Sequence, residues 1–314
     1  MKILFAAPEN AWGGFLGLIK SRLPQHEFIA AGKFEVQDLS GYDILIPTMA
    51  EISASVIKTA DQLRLIQQCG SGIEGVDLEA ARNNNIQVAN VPTEFSGNAD
   101  SVAELGIFLM IGLARNYHQM NLSLKNQKMG QPQGMALSGK TVGIVGIGGI
   151  GKALIKRLKP FGVKLIGIKQ DITNLKPQSL GLDWIGNAND LDVLLNQSDF
   201  VVLSLPVTPK SYHMINTEAL VKMKKEAFII NLSRGGLINY EALKSALVEG
   251  EIAGAGLDVF WEEPPNPADE IFKYNIIATP HIAGSTDVSI KGIVDGVVEN
   301  IQRLDENQPI LNTH

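Results

Sequence analysis

With 314 residues, the chain is long enough for two domains of ordinary size, each with its own hydrophobic core. Hydrophobic residues at 45% and charged residues at 19% are typical of a globular protein and exclude a disordered one. The net charge of −6 argues against a nucleic-acid binder that relies on a broad basic surface. The single cysteine, Cys69, excludes an internal disulfide and a multi-cysteine metal site, so we expect no metal centre.

Two apolar stretches bear on where the protein works. The N-terminal apolar run is too short for a signal peptide and is predicted to be the first strand. The longest apolar stretch, residues 102–114, contains Glu104 and falls short of a membrane span. We therefore expect a cytoplasmic protein with no membrane partner and no nucleic-acid partner.

Short β-branched runs alternate with helical patterns along most of the chain, which predicts parallel sheets covered on both faces. In the first third, strands are predicted at residues 3–5, 44–47, 65–68 and 87–89. A second series of strands is predicted at residues 142–145, 164–168, 200–205, 228–232, 255–259 and 276–278.

Helices and loops are predicted between and after these strands. Residues 90–100 form a break rich in Asn, Pro and Gly, after which a long apolar helix begins. Ser101 and Glu104 have the spacing of a capping box, which places the start of that helix at Ser101. Residues 126–139 are predicted to be a connecting loop, and residues 285–303 a further helix.

The strand at 142–145 runs straight into a Gly-x-Gly-x-x-Gly turn made by Gly146, Gly148 and Gly151. A helix is predicted from Lys152 to Lys159. In such a turn the first glycine allows a tight bend, the second lets the backbone approach a pyrophosphate, and the third lets helix and strand pack closely. The helix N-terminus offers unpaired N–H groups to phosphates. The strand before and the helix after favour a dinucleotide site over a purely structural turn.

Unusual residues follow three strands of the second series at their carboxyl ends. Arg234 follows residues 228–232, Asp258 and Glu263 come at and after the end of 255–259, and His281 follows 276–278. Singly, the arginine could cap a helix, Glu263 could form a solvated pair with its neighbour, and the histidine could be a core or surface residue. Because ligands of open parallel sheets bind at this edge, their joint placement favours a functional site.

Seven motifs in order carry a family resemblance. They are Gly-Ser-Gly-Ile-Glu-Gly-Val-Asp at 70–77, Ser-Val-Ala-Glu at 101–104, the glycine turn, Ser-Leu-Pro-Val-Thr-Pro at 204–209, Asn-Leu-Ser-Arg-Gly-Gly at 231–236, Gly-Leu-Asp-Val-Phe at 256–260 and Thr-Pro-His-Ile-Ala-Gly at 279–284. Over nearly its whole length the chain resembles the D-isomer-specific 2-hydroxyacid dehydrogenases.

The resemblance implies an α/β fold of two Rossmann-like, doubly wound parallel-sheet domains with a cleft between them. Residues 1–98 and 285–314 are expected to form the substrate domain, and residues 99–284 the dinucleotide-binding domain. It also implies a homodimer joined through the dinucleotide-binding domain. The helix at 102–114, apolar on nearly all faces, is expected to supply much of that contact.

The resemblance also implies roles for site residues in hydride transfer between a nicotinamide cofactor and a D-2-hydroxy acid/2-oxo acid pair. Arg234 is expected to anchor the substrate carboxylate with its planar fork, together with the N–H groups of Ser71 and Gly72. His281 is expected to be the acid/base, since imidazole titrates near neutral pH, and Glu263 its partner. The expected cofactor-binding residues lie in the glycine turn and at the strand ends: Gly146, Gly148, Gly149, Ile150, Gly151, Lys169, Leu205, Pro206, Leu232, Ser233, Asp258, His281 and Gly284.

Two positions depart from the family pattern. Gly149 stands where the family usually has Arg or Asn in the glycine turn. Lys169 and Gln170 follow the strand at 164–168, where an acidic residue would bind the adenosine ribose of NAD. The cofactor is thus expected to be NAD or NADP, with the departure favouring NADP. Two readings oppose this preference: Asp171 could return to the ribose, or Lys169 could be a solvated strand-end residue.

Two other functions remain open on the sequence. A dinucleotide-sensing scaffold, like the co-repressors that share this fold, would keep the glycine turn without needing turnover. An enzyme relic would bind cofactor and turn over no 2-oxo acid. The loops at residues 9–14 and 49–51 are expected to shape the pocket for the substrate side chain, whose identity the sequence leaves open.

Overall fold

The computed structural model describes residues 1–314, which divide into two compact units. Unit 1 comprises Met1–Asn98 and Ser285–His314, and unit 2 comprises Ala99–Gly284. Each unit contains one sheet in which all neighbouring strands are parallel. The predicted α/β class with two parallel-sheet domains is therefore confirmed.

Unit 1 is built on a five-stranded sheet with the order β2-β1-β3-β4-β5. Its strands are β1 (Lys2–Phe5), β2 (Glu27–Ala30), β3 (Ile44–Ile46), β4 (Leu65–Gln67) and β5 (Gln87–Ala89). Numbered in chain order over both units, its helices are α1 (Ala11–Arg22), α2 (Ala54–Ile57), α3 (Leu78–Asn83) and α10 (Asp287–Asp305). The strand order reverses between β1 and β3, which is where doubly wound sheets bind ligands.

Both faces of the unit 1 sheet are buried. Ile3 and Phe5 point to one face, where they pack in a cluster with Val297 and Ile301 of α10. Leu4 belongs to the cluster on the opposite face, as expected from the alternation of side chains along a strand. The runs of apolar residues that predicted these strands thus reflect burial on two sides.

Unit 2 is built on a seven-stranded sheet with the order β12-β11-β10-β9-β6-β7-β8. Its strands are β6 (Thr141–Val145), β7 (Lys164–Ile168), β8 (Trp184–Gly186), β9 (Phe200–Leu203), β10 (Phe228–Asn231), β11 (Gly254–Leu257) and β12 (Ile276–Ala278). Its α-helices are α4 (Asn98–Ala114, whose first residue lies in unit 1), α5 (Tyr117–Lys125), α6 (Gly149–Leu158), α7 (Leu191–Gln197), α8 (Thr217–Val221) and α9 (Tyr240–Val248). Short 3-10 helices occupy Lys159–Phe161, Pro177–Leu180, Ala188–Asp190, Gly235–Leu237 and Glu270–Lys273.

The strand order of unit 2 reverses between β6 and β9, and the glycine turn follows β6 at that point. Val145 and Val201 point to one face of the sheet, where they belong to one buried cluster. Val142 and Ile144 point to the other face, where they share a cluster with the buried side of α4. The turn is therefore carried by a strand that is fixed on both sides.

The start of α4 was predicted wrongly. The helix begins at Asn98, so Ser101 lies inside it and is only 6% exposed. Glu104 also lies inside the helix, and its carboxylate accepts hydrogen bonds from Arg157 of α6. A tertiary ion pair has taken up the side chain on which the capping-box prediction depended.

Two strands and one helix start were also missed. β2 and β8 are edge strands of four and three residues, and both are only partly buried, so they lack a long apolar run. Helix α6 begins at Gly149 rather than Lys152, because the last three positions of the glycine motif are already helical. None of the helices is both long enough and apolar enough to cross a membrane.

Candidate active site

The glycine turn of unit 2 is so tightly packed that side chains are excluded at two positions. Gly146 has a φ of 100°, and a Cβ there would lie 2.7 Å from the Ser204 carbonyl oxygen and from Leu205 Cβ. A Cβ on Gly151 would lie 2.3 Å from the Gly146 carbonyl oxygen. Ser204 also ties the turn to β9, because its hydroxyl donates to the Gly146 carbonyl oxygen at 2.7 Å.

The N-terminus of α6 faces outward from this turn. Gly148 is the capping residue, and a Cβ built on it meets nothing within 4 Å. The Lys152 N–H donates to the Gly148 carbonyl oxygen at 3.0 Å, so Gly149, Ile150 and Gly151 precede the first repeating helical bond. Their N–H groups and the positive end of the helix dipole fit a pyrophosphate, and the open space at Gly148 leaves room for it.

His281 and Glu263 form a hydrogen-bonded pair after β12 and β11. The carboxylate oxygen Oε2 of Glu263 accepts from His281 Nδ1 at 2.7 Å. The His281 side chain is 39% exposed and that of Glu263 is 19% exposed. Since an ionised carboxylate only accepts, Nδ1 carries a proton, and Nε2 is the ring nitrogen that a bound molecule could contact.

The Glu263 carboxylate is held ionised. Burial opposes its charge, but the hydrogen bond and the charge of His281 outweigh that effect and hold the pKa of Glu263 below its usual range. The Phe260 N–H, which donates to Oε1 at 3.0 Å, and the charge of Arg234 act in the same direction. A fixed anion beside Nδ1 orients the imidazole ring.

Asp258 organises the loop that carries His281. Its buried carboxylate, 1% exposed, accepts from Thr279 Oγ1 at 2.6 Å and from the N–H groups of Ile282 and Ala283 at 2.9 Å each. His281 has a φ of 53°, a left-handed conformation that costs a non-glycine residue about 1–2 kcal/mol. The three bonds that Asp258 accepts hold the loop in this conformation, while burial raises the pKa of that carboxyl above its usual range.

Arg234 lies at the end of β10, in a turn with several internal hydrogen bonds. Asn231 Nδ2 donates to the Arg234 carbonyl oxygen at 2.8 Å, and the arginine Nη1 donates to the Ser233 carbonyl oxygen at 2.8 Å. A Cβ on Gly235 would lie 2.1 Å from the Phe260 carbonyl oxygen, so the turn packs against the segment that leads to Glu263. The structure thus brings Arg234 into electrostatic range of the Glu263–His281 pair.

The other residues predicted to bind cofactor differ in their burial. Lys169 follows β7 and is half-buried, and Gln170 is exposed. The buried members serve the packing: Leu232 lies in the core, where a Cβ on Gly106 would meet it at 2.6 Å, and Ser233 Oγ donates to the Leu205 carbonyl oxygen. Pro206 and Gly284 lie just beyond the ends of β9 and β12. For all of these, cofactor contact stays a prediction.

Ser71 and Gly72 belong to unit 1, in the turn after β4. Neither N–H donates to an acceptor within the protein. Sequence analysis did not predict three structural roles. Asp258 organises the His281 loop, Ser204 ties the glycine turn to β9, and Asn90 donates a hydrogen bond to the turn of Ser71. Polar residues at strand ends were the only signal, and it does not distinguish a ligand contact from an internal one.

Comparison with known proteins identifies the family. The profile described as D-isomer specific 2-hydroxyacid dehydrogenase, NAD binding domain, matches residues 107–283. The chain belongs to the D-isomer-specific 2-hydroxyacid dehydrogenase family.

Individual relatives cover most of the chain. D-3-phosphoglycerate dehydrogenase of Methanocaldococcus jannaschii is 38% identical over 263 residues, 83% of this chain and 49% of that protein. Hydroxypyruvate reductase of Thermotoga maritima is 37% identical over 268 residues, 82% of this chain and 83% of that protein. The chain therefore spans about half the length of the first relative and most of the second. A crystal structure from Thermus thermophilus superposes with a TM-score of 0.84 at 29% identity, covering 100% of this chain and 99% of that one.

Proposed function

We propose that the protein is an NAD(P)-dependent oxidoreductase that interconverts 2-oxo acids and D-2-hydroxy acids. The observation that carries this proposal is the Glu263–His281 pair, which lies with Arg234 at the same sheet edge as the glycine turn. An acid/base, a carboxylate anchor and a pyrophosphate cradle on one edge are the groups that this chemistry needs. Unit 2 is proposed to hold the cofactor and unit 1 to contribute to substrate binding.

In the direction of reduction, the bound nicotinamide would supply the hydride to C2 of the substrate. Arg234 would hold the carboxylate and the 2-oxo oxygen, because its planar fork offers two parallel N–H donors. His281, protonated on both nitrogens, would donate its Nε2 proton to the oxygen that becomes the hydroxyl. Glu263 would keep Nδ1 as a donor and stabilise the imidazolium; in oxidation the same nitrogen, Nε2, would accept the proton.

The proposal is tested by following oxidation of NADH and NADPH with a panel of 2-oxo acids: glyoxylate, hydroxypyruvate, pyruvate and 3-phosphohydroxypyruvate. Turnover of at least one substrate supports an enzyme. Cofactor binding without turnover of any panel member would instead favour a dinucleotide-sensing scaffold or an enzyme relic. The panel also names the substrate side chain.

We further propose that NADP(H) is used at least as well as NAD(H). Lys169 stands where an acidic residue would bind the ribose of NAD and repel a 2′-phosphate. The Asp171 carboxylate accepts from the Thr173 N–H at 2.8 Å, which holds it in a turn of its own. This bond and the half-buried place of Lys169 support a phosphate-binding role for the lysine.

Lys169→Asp is expected to shift the ratio of kcat/KM for NADPH and NADH toward NADH by roughly 10- to 100-fold, the loss of a charged hydrogen bond to a phosphate. Lys176→Asp, the same charge change at an exposed position in the following loop, serves as the control. A wild type that prefers NADH more than tenfold, unchanged by Lys169→Asp, would show that Lys169 plays no part.

We also propose a homodimer joined through unit 2, in which exposed side chains of α4 and α5 form the contact. Most of α4 is buried in its own unit, including Leu109, Met110 and Leu113, so its apolar character largely reflects the core. The exposed apolar side chains are Phe108 on α4 and, on α5, Tyr117 and Leu124, among others. Phe108 and Tyr117 pack edge to face at 6.5 Å, which makes one continuous patch across the two helices.

Light scattering at micromolar concentration is expected to give twice the chain mass of 33.9 kDa. Leu124 is 73% exposed on α5, and Leu124→Glu is expected to lower the measured mass toward that of one chain. Val248→Glu, at an apolar side chain 48% exposed on α9, is the matched control and should leave the mass unchanged. A monomeric wild type would contradict the dimer, and equal masses for all three proteins would remove this patch from the interface.

A further inference from the structure

Two carbonyl groups in the turn after β4, those of Gly70 and Ser71, accept hydrogen bonds from the chain that follows β5. The Val91 N–H donates to the Gly70 carbonyl oxygen at 3.2 Å, and Asn90 Nδ2 donates to the Ser71 carbonyl oxygen at 2.7 Å. The second bond is the only one of the two made by a side chain. It fixes the peptide plane between Ser71 and Gly72.

These two bonds determine where the N–H groups of the turn point. The peptide bonds of the turn are trans, so each N–H lies on the opposite side of its plane from the carbonyl oxygen. With the carbonyls of Gly70 and Ser71 bound inward, the N–H groups of Ser71 and Gly72 face away from β5. Neither donates within the protein, and Ser71 is exposed.

The glycines of the turn would also allow the opposite orientation of the Ser71–Gly72 peptide plane. A group outside the turn is therefore needed to select between the two orientations. Gly70 and Gly72 flank Ser71, and glycine adopts positive and negative φ about equally readily. A flipped Ser71–Gly72 plane would therefore cost little in backbone energy. It would point the Ser71 carbonyl oxygen outward, where it repels a carboxylate that the N–H would bind.

Asn90 is itself rigidly placed. It is 7% exposed, follows β5 directly, and its backbone N–H donates to the Asn312 carbonyl oxygen at 3.2 Å. At the other end of the turn, Gln68 accepts from the Cys69 N–H at 2.9 Å and so fixes where the turn begins. The turn is thus held at its start by one buried amide and at its centre by another.

We propose that Asn90 is a positioning residue for substrate binding: its amide selects the peptide orientation in which the Gly72 N–H donates to the carboxylate of the 2-oxo acid. This inference rests on the proposed function and adds a residue outside the Arg234–Glu263–His281 set. Asn90 acts only through the turn and touches no reacting atom.

The test compares Asn90→Ala with wild type in steady-state kinetics and in the binding of oxamate, an unreactive analogue of a 2-oxo acid, with reduced cofactor present. The KM for the 2-oxo acid and the Kd of oxamate are expected to rise roughly 10- to 100-fold, the loss of a hydrogen bond to a charged group. The KM for cofactor and kcat at saturating substrate should stay within about twofold of wild type, because the carboxylate contact acts on ground and transition states alike.

Asn300→Asp is the matched control. Asn300 is 2% exposed in the same unit, and its Nδ2 donates to Gln67 Oε1 at 2.7 Å and to the Leu311 carbonyl oxygen at 3.0 Å. This variant loses a buried amide donor that makes no bond to Ser71, Gly72 or Asn90, so the substrate KM should not change even if the melting temperature falls. Asn90→Asp, which keeps the native shape and lacks the donor, carries the test if Asn90→Ala does not fold.

An unchanged KM and an unchanged oxamate Kd in a folded Asn90 variant would overturn this role while leaving the proposed function intact. A wild type that neither reduces a 2-oxo acid nor binds oxamate would overturn both. A rise in KM shared equally by Asn300→Asp would assign the effect to general loosening of the unit and also overturn the specific role.

Discussion

Replacing His281 by asparagine is expected to lower kcat by roughly 10²–10⁴, the usual contribution of a positioned acid/base, while cofactor binding stays intact. The reason is that His281 lies at the sheet edge of the glycine turn and its Nδ1 is held by an ionised carboxylate, through the 2.7 Å bond to Glu263. Asparagine suits the test because it tolerates the left-handed backbone of this position. Steady-state kinetics and a cofactor titration give the two quantities.

The control for this variant is His213→Asn. His213 also has a left-handed backbone, with a φ of 51°, and its Nδ1 contacts Asn239 Nδ2 at 3.3 Å rather than a carboxylate. Its replacement should leave kcat within about twofold of wild type, as expected of a histidine without a catalytic partner. Near-normal turnover of His281→Asn would remove that residue from the mechanism.

Arg234→Ala is expected to lower kcat/KM for 2-oxo acids by roughly 10²–10⁴, the loss of two charged hydrogen bonds. Both KM and kcat should suffer, because the guanidinium would hold the carboxylate in the ground state and the 2-oxo oxygen in the transition state. Arg234→Lys should recover only part of the loss, since an ammonium lacks the bidentate fork.

Arg157→Ala is a suitable control for the arginine, because Arg157 lies in the same unit and its ion pairs with Asp100 and Glu104 are surface pairs. Such pairs contribute about 0–1 kcal/mol to stability, and kcat/KM should not change. An Arg234→Ala variant with a normal kcat/KM would mean that the carboxylate is held elsewhere.

The central strands of both sheets could be predicted because they are buried on two faces and so form apolar runs. β12 and β7 have the predicted bounds, and β9 and β10 end one or two residues earlier than predicted. The strands β2 and β8 could not be predicted this way, because most of their residues are only partly buried. The edge strands β5 and β12 are equally short, but two of the three residues in each are buried, and both were predicted.

The capping box at Ser101 failed for a different reason. Local spacing identified a possible cap, but the partner that Glu104 uses, Arg157, lies 53 positions along the chain. No local pattern contains that information. The same limit applied to the helix of the glycine motif, where the close approach of Gly151 to Gly146 lets α6 begin three residues earlier.

The candidate site was predictable in its parts and not in its internal bonds. The sequence predicted that Arg234, Glu263 and His281 lie at one sheet edge. Each follows a predicted strand, and the carboxyl ends of parallel strands meet at the same edge. Asp258 uses both carboxylate oxygens to accept three hydrogen bonds from the loop of His281. Only the fold brings these groups together, so the sequence could not predict the bonds. Asn90 directly follows β5 and precedes Val-Pro, a setting that does not distinguish it from other loop asparagines in the sequence. Its role depends on the hydrogen bond to the turn at Ser71, which only the fold reveals.

The proposed reaction is hydride transfer between a nicotinamide cofactor and C2 of a D-2-hydroxy acid. It is tested most directly by reducing hydroxypyruvate with cofactor that carries deuterium at the transferable position of the nicotinamide ring, and then analysing the product. We expect a 2-hydroxy acid of D configuration with one deuterium on C2. A product without deuterium at C2, or one of L configuration, would contradict it.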